Sequence, residues 1–107
     1  MPGVPGEVEP TLVTMRFEAA DAERLLAALS RYVVLSRGHT GCRNIDLCQS
    51  VTEPRRFVVI EKWESPIAQR AHVESPEFAT LAAACEGLLR ENPQIDLLDS
   101  LSAHDLA

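Results

Sequence analysis

A chain of 107 residues has room for one domain built around one core, and its 46% apolar and 24% charged residues suit a globular protein rather than a disordered, fibrous or membrane one. The formal net charge of −6, with no stripe of Lys and Arg, argues against a nucleic-acid partner, because phosphate binding depends on clustered cations that displace counterions. Residues 1–10 (MPGVPGEVEP) lack the basic start and apolar run of a secretory signal, and no stretch approaches membrane-spanning length; the cytoplasm is the expected location, with no membrane partner.

Pro and Gly dominate residues 1–10, which read as a disordered tail. Thr11 to Glu18 sets Val13, Met15 and Phe17 against Thr14, Arg16 and Glu18 with the period of two of a first strand. Asp21 is an N-cap, and Ala22, Leu25, Leu26, Leu29 and Val33 recur behind it at helical spacing. That helix should stop near Arg37, with Gly38 in the left-handed turn that ends helices. Cys42 to Val51 alternates again, Ile45, Leu47 and Val51 opposite Asn44, Asp46 and Ser50, as a second strand. The polar residues 52–56 make a hairpin loop into a third strand, Phe57 to Trp63. Ser65-Pro66 and Ser75-Pro76 each set a capping hydroxyl before a Pro at the first helical position. The first opens a short helix through Glu74. The second opens a helix with Phe78, Leu81, Ala82, Cys85, Leu88 and Leu89 on one face, running to Asn92-Pro93. Gln94 to Leu101 alternates as a fourth strand, and residues 102–107 read as a second tail.

This order predicts an α+β, ferredoxin-like βαββαβ domain over residues 11–101: a four-stranded antiparallel sheet with its helices on one face. The face away from the helices should be polar in a monomer. Strand three is apolar on both sides from Phe57 to Ile60, and Leu97 and Leu98 point oppositely. A homodimer through the bare sheet face is therefore expected.

The ordered series Gly41-Cys42, Ile60-Glu61-Lys62-Trp63-Glu64-Ser65, Ala71-His72, Ser75-Pro76-Glu77-Phe78 and Ile95-Asp96-Leu97-Leu98 resembles the antibiotic biosynthesis monooxygenase domain family. The resemblance implies a dimeric α+β barrel whose pocket, between sheet and helices, holds a small apolar or aromatic molecule. It further implies, for some members, oxidation of polyketide aromatics or quinols by molecular oxygen with no metal or flavin, the substrate anion itself supplying the electron. Trp63 matches the Trp of those oxygenases. Their Asn and Tyr partners are replaced by Val59 and Gln69, and Val59 has no group to hydrogen-bond an oxyanion. Relatives that degrade haem carry an iron-binding His on the second long helix, and residues 76–92 contain none.

Two residues stand out as catalytic candidates. His72, on the small-residue side of the short helix, suits removal of a phenolic or enolic proton, or else is a hydrogen-bonded structural residue. Trp63 either stacks on a planar substrate or packs the core. Glu61 shares its face and either orients His72 or pairs with a surface Arg or Lys, the second being favoured. Asn44 and Arg16 either project into a cavity or line a solvated edge, while Phe78 belongs to the core and the pocket roof. His39 and His104 are secondary candidates. Cys42, Cys48 and Cys85 form no CxxC pair, and His39-x-x-Cys42 has no second ligand pair at metal spacing, so neither a metal nor a cofactor is expected. The leading expectation is a cofactor-independent monooxygenase. The alternatives are an isomerase of a small phosphorylated carbonyl compound, using Arg16, Arg43 or Arg70 for charge, and a non-catalytic binding dimer.

Overall fold

The computed structural model describes residues 7–8, 10–102 and 105–106, with side chains over 10–102. His104 and most of the two expected tails lie outside the described residues. β2 (Thr11–Glu18), β3 (Cys42–Gln49), β4 (Arg56–Trp63) and β5 (Gln94–Asp99) form one antiparallel sheet in the order β3-β4-β2-β5. Three helices accompany them among the described residues: α1 (Ala22–Arg37), α2 (Pro66–Val73) and α3 (Pro76–Ala84). The ferredoxin-like α+β class read from the sequence is the observed one. Within the stretches read as tails, β1 (Glu7–Val8) pairs antiparallel with β6 (Asp105–Leu106).

Register fixes the two faces of the sheet. Met15 stands opposite Val59 and Ile95, and Val13 opposite Glu61 and Leu97, so these side chains share the inner face beneath the helices. Val13, Met15, Phe17, Ile45, Phe57, Val59 and Trp63 form the buried floor, against which Leu25, Leu29 and Val33 of α1 and Leu81 of α3 pack. Leu12, Val58, Ile60 and Leu98 lie on the opposite face, where Ile60 and Leu98 remain 38% and 44% exposed.

Several boundaries differ from the sequence reading. α3 ends at Ala84 instead of running to Asn92, because the chain turns at Gly87, whose φ is +78°. The apolar spacing persists through the turn: Leu88 is still buried, and its carbonyl accepts from the amides of Ala20 and Asp21. A buried Leu in a turn therefore carried the periodicity of a helix that had already stopped. The inner-face side chains Ile95 and Leu97 stay 54% and 63% exposed, since the shortened α3 does not reach across the edge strand β5. Gly38 caps α1 in the right-handed region at φ −85°, and Gly41 takes the left-handed conformation at φ +84°. Leu26 faces outward, and Val51 and Leu101 fall beyond the ends of their strands, fully or nearly fully exposed.

Gly41 ties the loop before β3 to α2. Its carbonyl accepts from Glu64, and a Cβ on it would stand 2.5 Å from that of Ala68. At Gly87 a Cβ would meet nothing within 4 Å. Gly87→Ala should therefore cost about 1 kcal/mol from backbone conformation alone, whereas Gly41→Ala should cost about 2–3 kcal/mol because α2 must also shift. Urea unfolding midpoints of the two variants, compared with the parent, check both the size and the order of these effects.

Candidate functional site

The inward stripe of α1 continues from Leu25 and Leu29 to Tyr32 and Ser36, which lie one turn apart. Alternation along β4 points Val59, Glu61 and Trp63 toward that stripe. α2 is started by the Ser65 hydroxyl, which accepts from the Ala68 amide, and its last turn delivers His72 to the same place. Five polar-bearing side chains from three elements thus meet in the interior, each no more than 2% exposed.

The Glu61 carboxylate is the centre. Its Oε2 accepts from the Tyr32 hydroxyl at 2.5 Å and its Oε1 from the Trp63 indole N–H at 2.9 Å. The His72 ring lies over Trp63 with centroids 4.4 Å apart, its Nε2 2.9 Å from the Ser36 hydroxyl. His72 Nδ1 stands 4.0 Å from Glu61 Oε1 and has no hydrogen-bond partner among the described residues. His39 packs edge-on against both Trp63 and His72, and its Nε2 is 3.9 Å from Glu77 Oε1 nearer the surface.

Burial sets the protonation states. It pushes the Glu61 carboxyl upward, and the bonds from Tyr32 and Trp63 only partly offset the rise. Burial, followed by the charge of Glu61, drives the Tyr32 phenol well above its ordinary value. His72 is lowered to about 4 by burial first and by His39 second, with Glu77 opposing. Burial thus favours the uncharged imidazole at neutral pH, with Nδ1 unengaged among the described residues, a carboxyl beside it and a hydroxyl on its other nitrogen.

A chamber of about 560 Å³ opens next to this cluster. Met15 and Phe17 of β2, Phe78 and Leu81 of α3, Cys85 and the exposed Ile95 form its apolar walls, while Glu86, Arg90 and Asn92 stand around its mouth. It exists because α3 stops early and leaves the inner face of β5 uncovered.

The sequence candidates divide accordingly. His72 and Trp63 are brought together, but against packed side chains: neither lines the chamber. Glu61 corrects the favoured surface salt bridge; it is 2% exposed and bonded to Tyr32 and Trp63. Asn44 and Arg16 are also corrected, since register places both on the outer face. Asn44 is opposite Lys62 and donates to Asp46, while Arg16 is opposite Val58 and Gln94. Val59 is completely buried in the core floor, and Phe78 lines the chamber. Tyr32 and Ser36 were not singled out from the sequence; their signal was polar groups at inward positions of the Leu25 and Leu29 stripe. No group of three or more His, Cys, Asp or Glu among the described residues is placed to hold a metal ion, and no described helix is long and apolar enough to cross a membrane.

The family model described as antibiotic biosynthesis monooxygenase matches residues 11–84. Among solved structures, Rv0793 from Mycobacterium tuberculosis is 28% identical over 87% of this chain and 96% of its own, with a TM-score of 0.82. PA3566 from Pseudomonas aeruginosa is 30% identical over 88% and 96%, with a TM-score of 0.80. A protein named antibiotic biosynthesis monooxygenase shares the fold at 22% identity and a TM-score of 0.78, over 85% of this chain and 98% of that one. No curated protein matches the chain.

Three outcomes follow from the cluster. The imidazole resonances of His72 should still be those of a neutral ring at pH 5.5, with a midpoint near 4; a midpoint near 6.5 would contradict the geometry. Because the unfolded chain takes up that proton near 6.5 and the folded chain near 4, the His72 contribution to stability is complete above 6.5 and is lost as pH falls toward 4. Glu61, raised by burial, acts with the opposite sign, so His72→Gln should remove the acid-side loss and leave the Glu61 contribution. Tyr32→Phe, which strips Glu61 Oε2 of its donor, should lower stability by about 1–3 kcal/mol in urea unfolding at pH 7.

Proposed function

Since the chain belongs to the antibiotic biosynthesis monooxygenase family, we propose that it is a cofactor-independent monooxygenase that oxidises a small aromatic, polyketide or quinol-like molecule with molecular oxygen in the cytoplasm. The observation that carries this reading is the buried His72 ring, its Nδ1 without a hydrogen-bond partner among the described residues, packed against Phe78 at the edge of an apolar chamber. The chamber is within the size range of small-molecule sites. His72 removes the proton of an acidic C–H or O–H, and the resulting electron-rich anion reduces oxygen directly. For an activated methylene the balance closes: both C–H bonds break, one oxygen atom becomes the carbonyl, and the other leaves as water with the two protons. Low polarity around the anion favours electron transfer to an uncharged acceptor, and the neighbouring Glu61 supplies a second site for a proton.

The reading includes a homodimer formed through the outer sheet face, where Leu12, Val58, Ile60 and Leu98 present an apolar strip that none of the described helices covers. The isomerase alternative loses Arg16, which lies on the opposite face from His72; Arg70 is exposed on α2, and Arg90 stands at the chamber mouth.

Oxygen uptake should accompany loss of an electron-rich phenol, quinol or activated methylene compound drawn from a panel. His72→Ala should slow that uptake by about 10²- to 10⁴-fold, the usual loss for a general base. Turnover unaffected by the change would remove His72 from the reaction, and tight binding of aromatics with no uptake under air would leave a binding protein instead. Sedimentation across a dilution series should report a dimer, and Ile60→Glu should shift it to monomer.

A further inference from the structure

The chamber and the acid–base cluster are adjacent and yet separate. Tyr32 and His72 are 2% and 1% exposed, so a molecule resting in the chamber does not touch them. Phe78 lines the chamber, and its ring also meets both groups edge-on, with centroids 6.3 Å from Tyr32 and 5.9 Å from His72.

We propose that Phe78 is a gate between chamber and cluster, and that a planar aromatic substrate reaches His72 by taking the place of the Phe78 ring against Tyr32 and His72. This rests on the chamber being the substrate site. Three features support it. The ring is only partly buried and borders open volume, so turning it requires no repacking of the kind that holds Trp63 or Phe57 in place. Phe78 sits in the first turn of a nine-residue helix, next to a junction rather than in the middle of a rigid element. At that junction the Ser75 hydroxyl donates to the carbonyl of His72 and accepts from the amide of Phe78, so the gate and the base are linked through one side chain. The surfaces that the departing ring would uncover are the faces and edges of a phenol and an imidazole, which select for flat rings over branched aliphatic molecules of equal volume.

The test is carbethoxylation of His72 by diethyl pyrocarbonate at pH 7, followed peptide by peptide by mass spectrometry. In the parent protein the reagent reaches His72 only during local opening; Phe78→Ala should raise the rate at His72 by about tenfold or more, and Phe78→Leu, which keeps more of the packing, by a smaller factor. Modification of His39, which is already 22% exposed at its side chain, should be unchanged in both, reporting an intact fold. Equal and slow modification of His72 in parent and both variants would overturn the gate. Faster modification of His72 together with absent oxygen uptake would keep the gate and remove the oxygenase reading, whereas uptake that depends on His72 with no effect of Phe78 on its labelling would do the reverse.

Discussion

A carboxyl group in the middle of an apolar β-strand constrains everything packed around it. Glu61 lies between Val59 and Trp63 on the inner face of the sheet, where an unpartnered carboxylate would be prohibitively costly. Its two oxygens are met by a phenol from α1 and an indole from its own strand. The first bond fixes the rotation of α1 about its axis, since Tyr32 must face inward, and that rotation sets Ser36 one turn further along the same stripe. Ser36 then meets His72, so α2 is positioned by the same chain of contacts. The polar network is therefore also a device for orienting helices, and the apolar core around it supplies the bulk of the cohesion.

The network leaves one position open. Each carboxylate oxygen has a donor and His72 Nε2 has a hydroxyl, but Nδ1 faces Glu61 across a gap too long for a hydrogen bond. A purely structural histidine would normally have both nitrogens engaged. The unengaged nitrogen, the hydrophobic surroundings that disfavour its charged form, and an adjoining chamber of ligand size lie side by side, and the proposed reaction rests on their adjacency.

The fold was legible in the sequence because each element carries its own local signal: period-two alternation in β2, β3, β4 and β5, the Asp21, Ser65 and Ser75 caps, and the Pro residues behind two of them. The end of α3 was not, because Leu88 remains buried by hydrogen-bonding the start of α1 from within a turn, which preserves the helical spacing of apolar residues after the helix has ended. The site was half legible. Trp63 and His72 stood out by type, whereas the state of Glu61 depended on Tyr32, 29 residues away in sequence, and no local pattern reports such a pairing. For Asn44 and Arg16 the sequence left a cavity and a solvated edge both open, because alternation distinguishes two faces without saying which one the helices cover.

The turn after α3 bears on how such a protein diversifies. Residues 85–93 leave the helix at Gly87, frame the chamber mouth with Glu86, Arg90 and Asn92, and rejoin the sheet, while Glu61, Tyr32 and His72 sit on other elements. Changes of length or charge in that segment can reshape the chamber mouth without disturbing either the carboxyl that orients the helices or the ring stacked on Trp63. A lineage carrying this architecture is free to rewrite one surface loop while the interior that holds the helices in place is inherited intact.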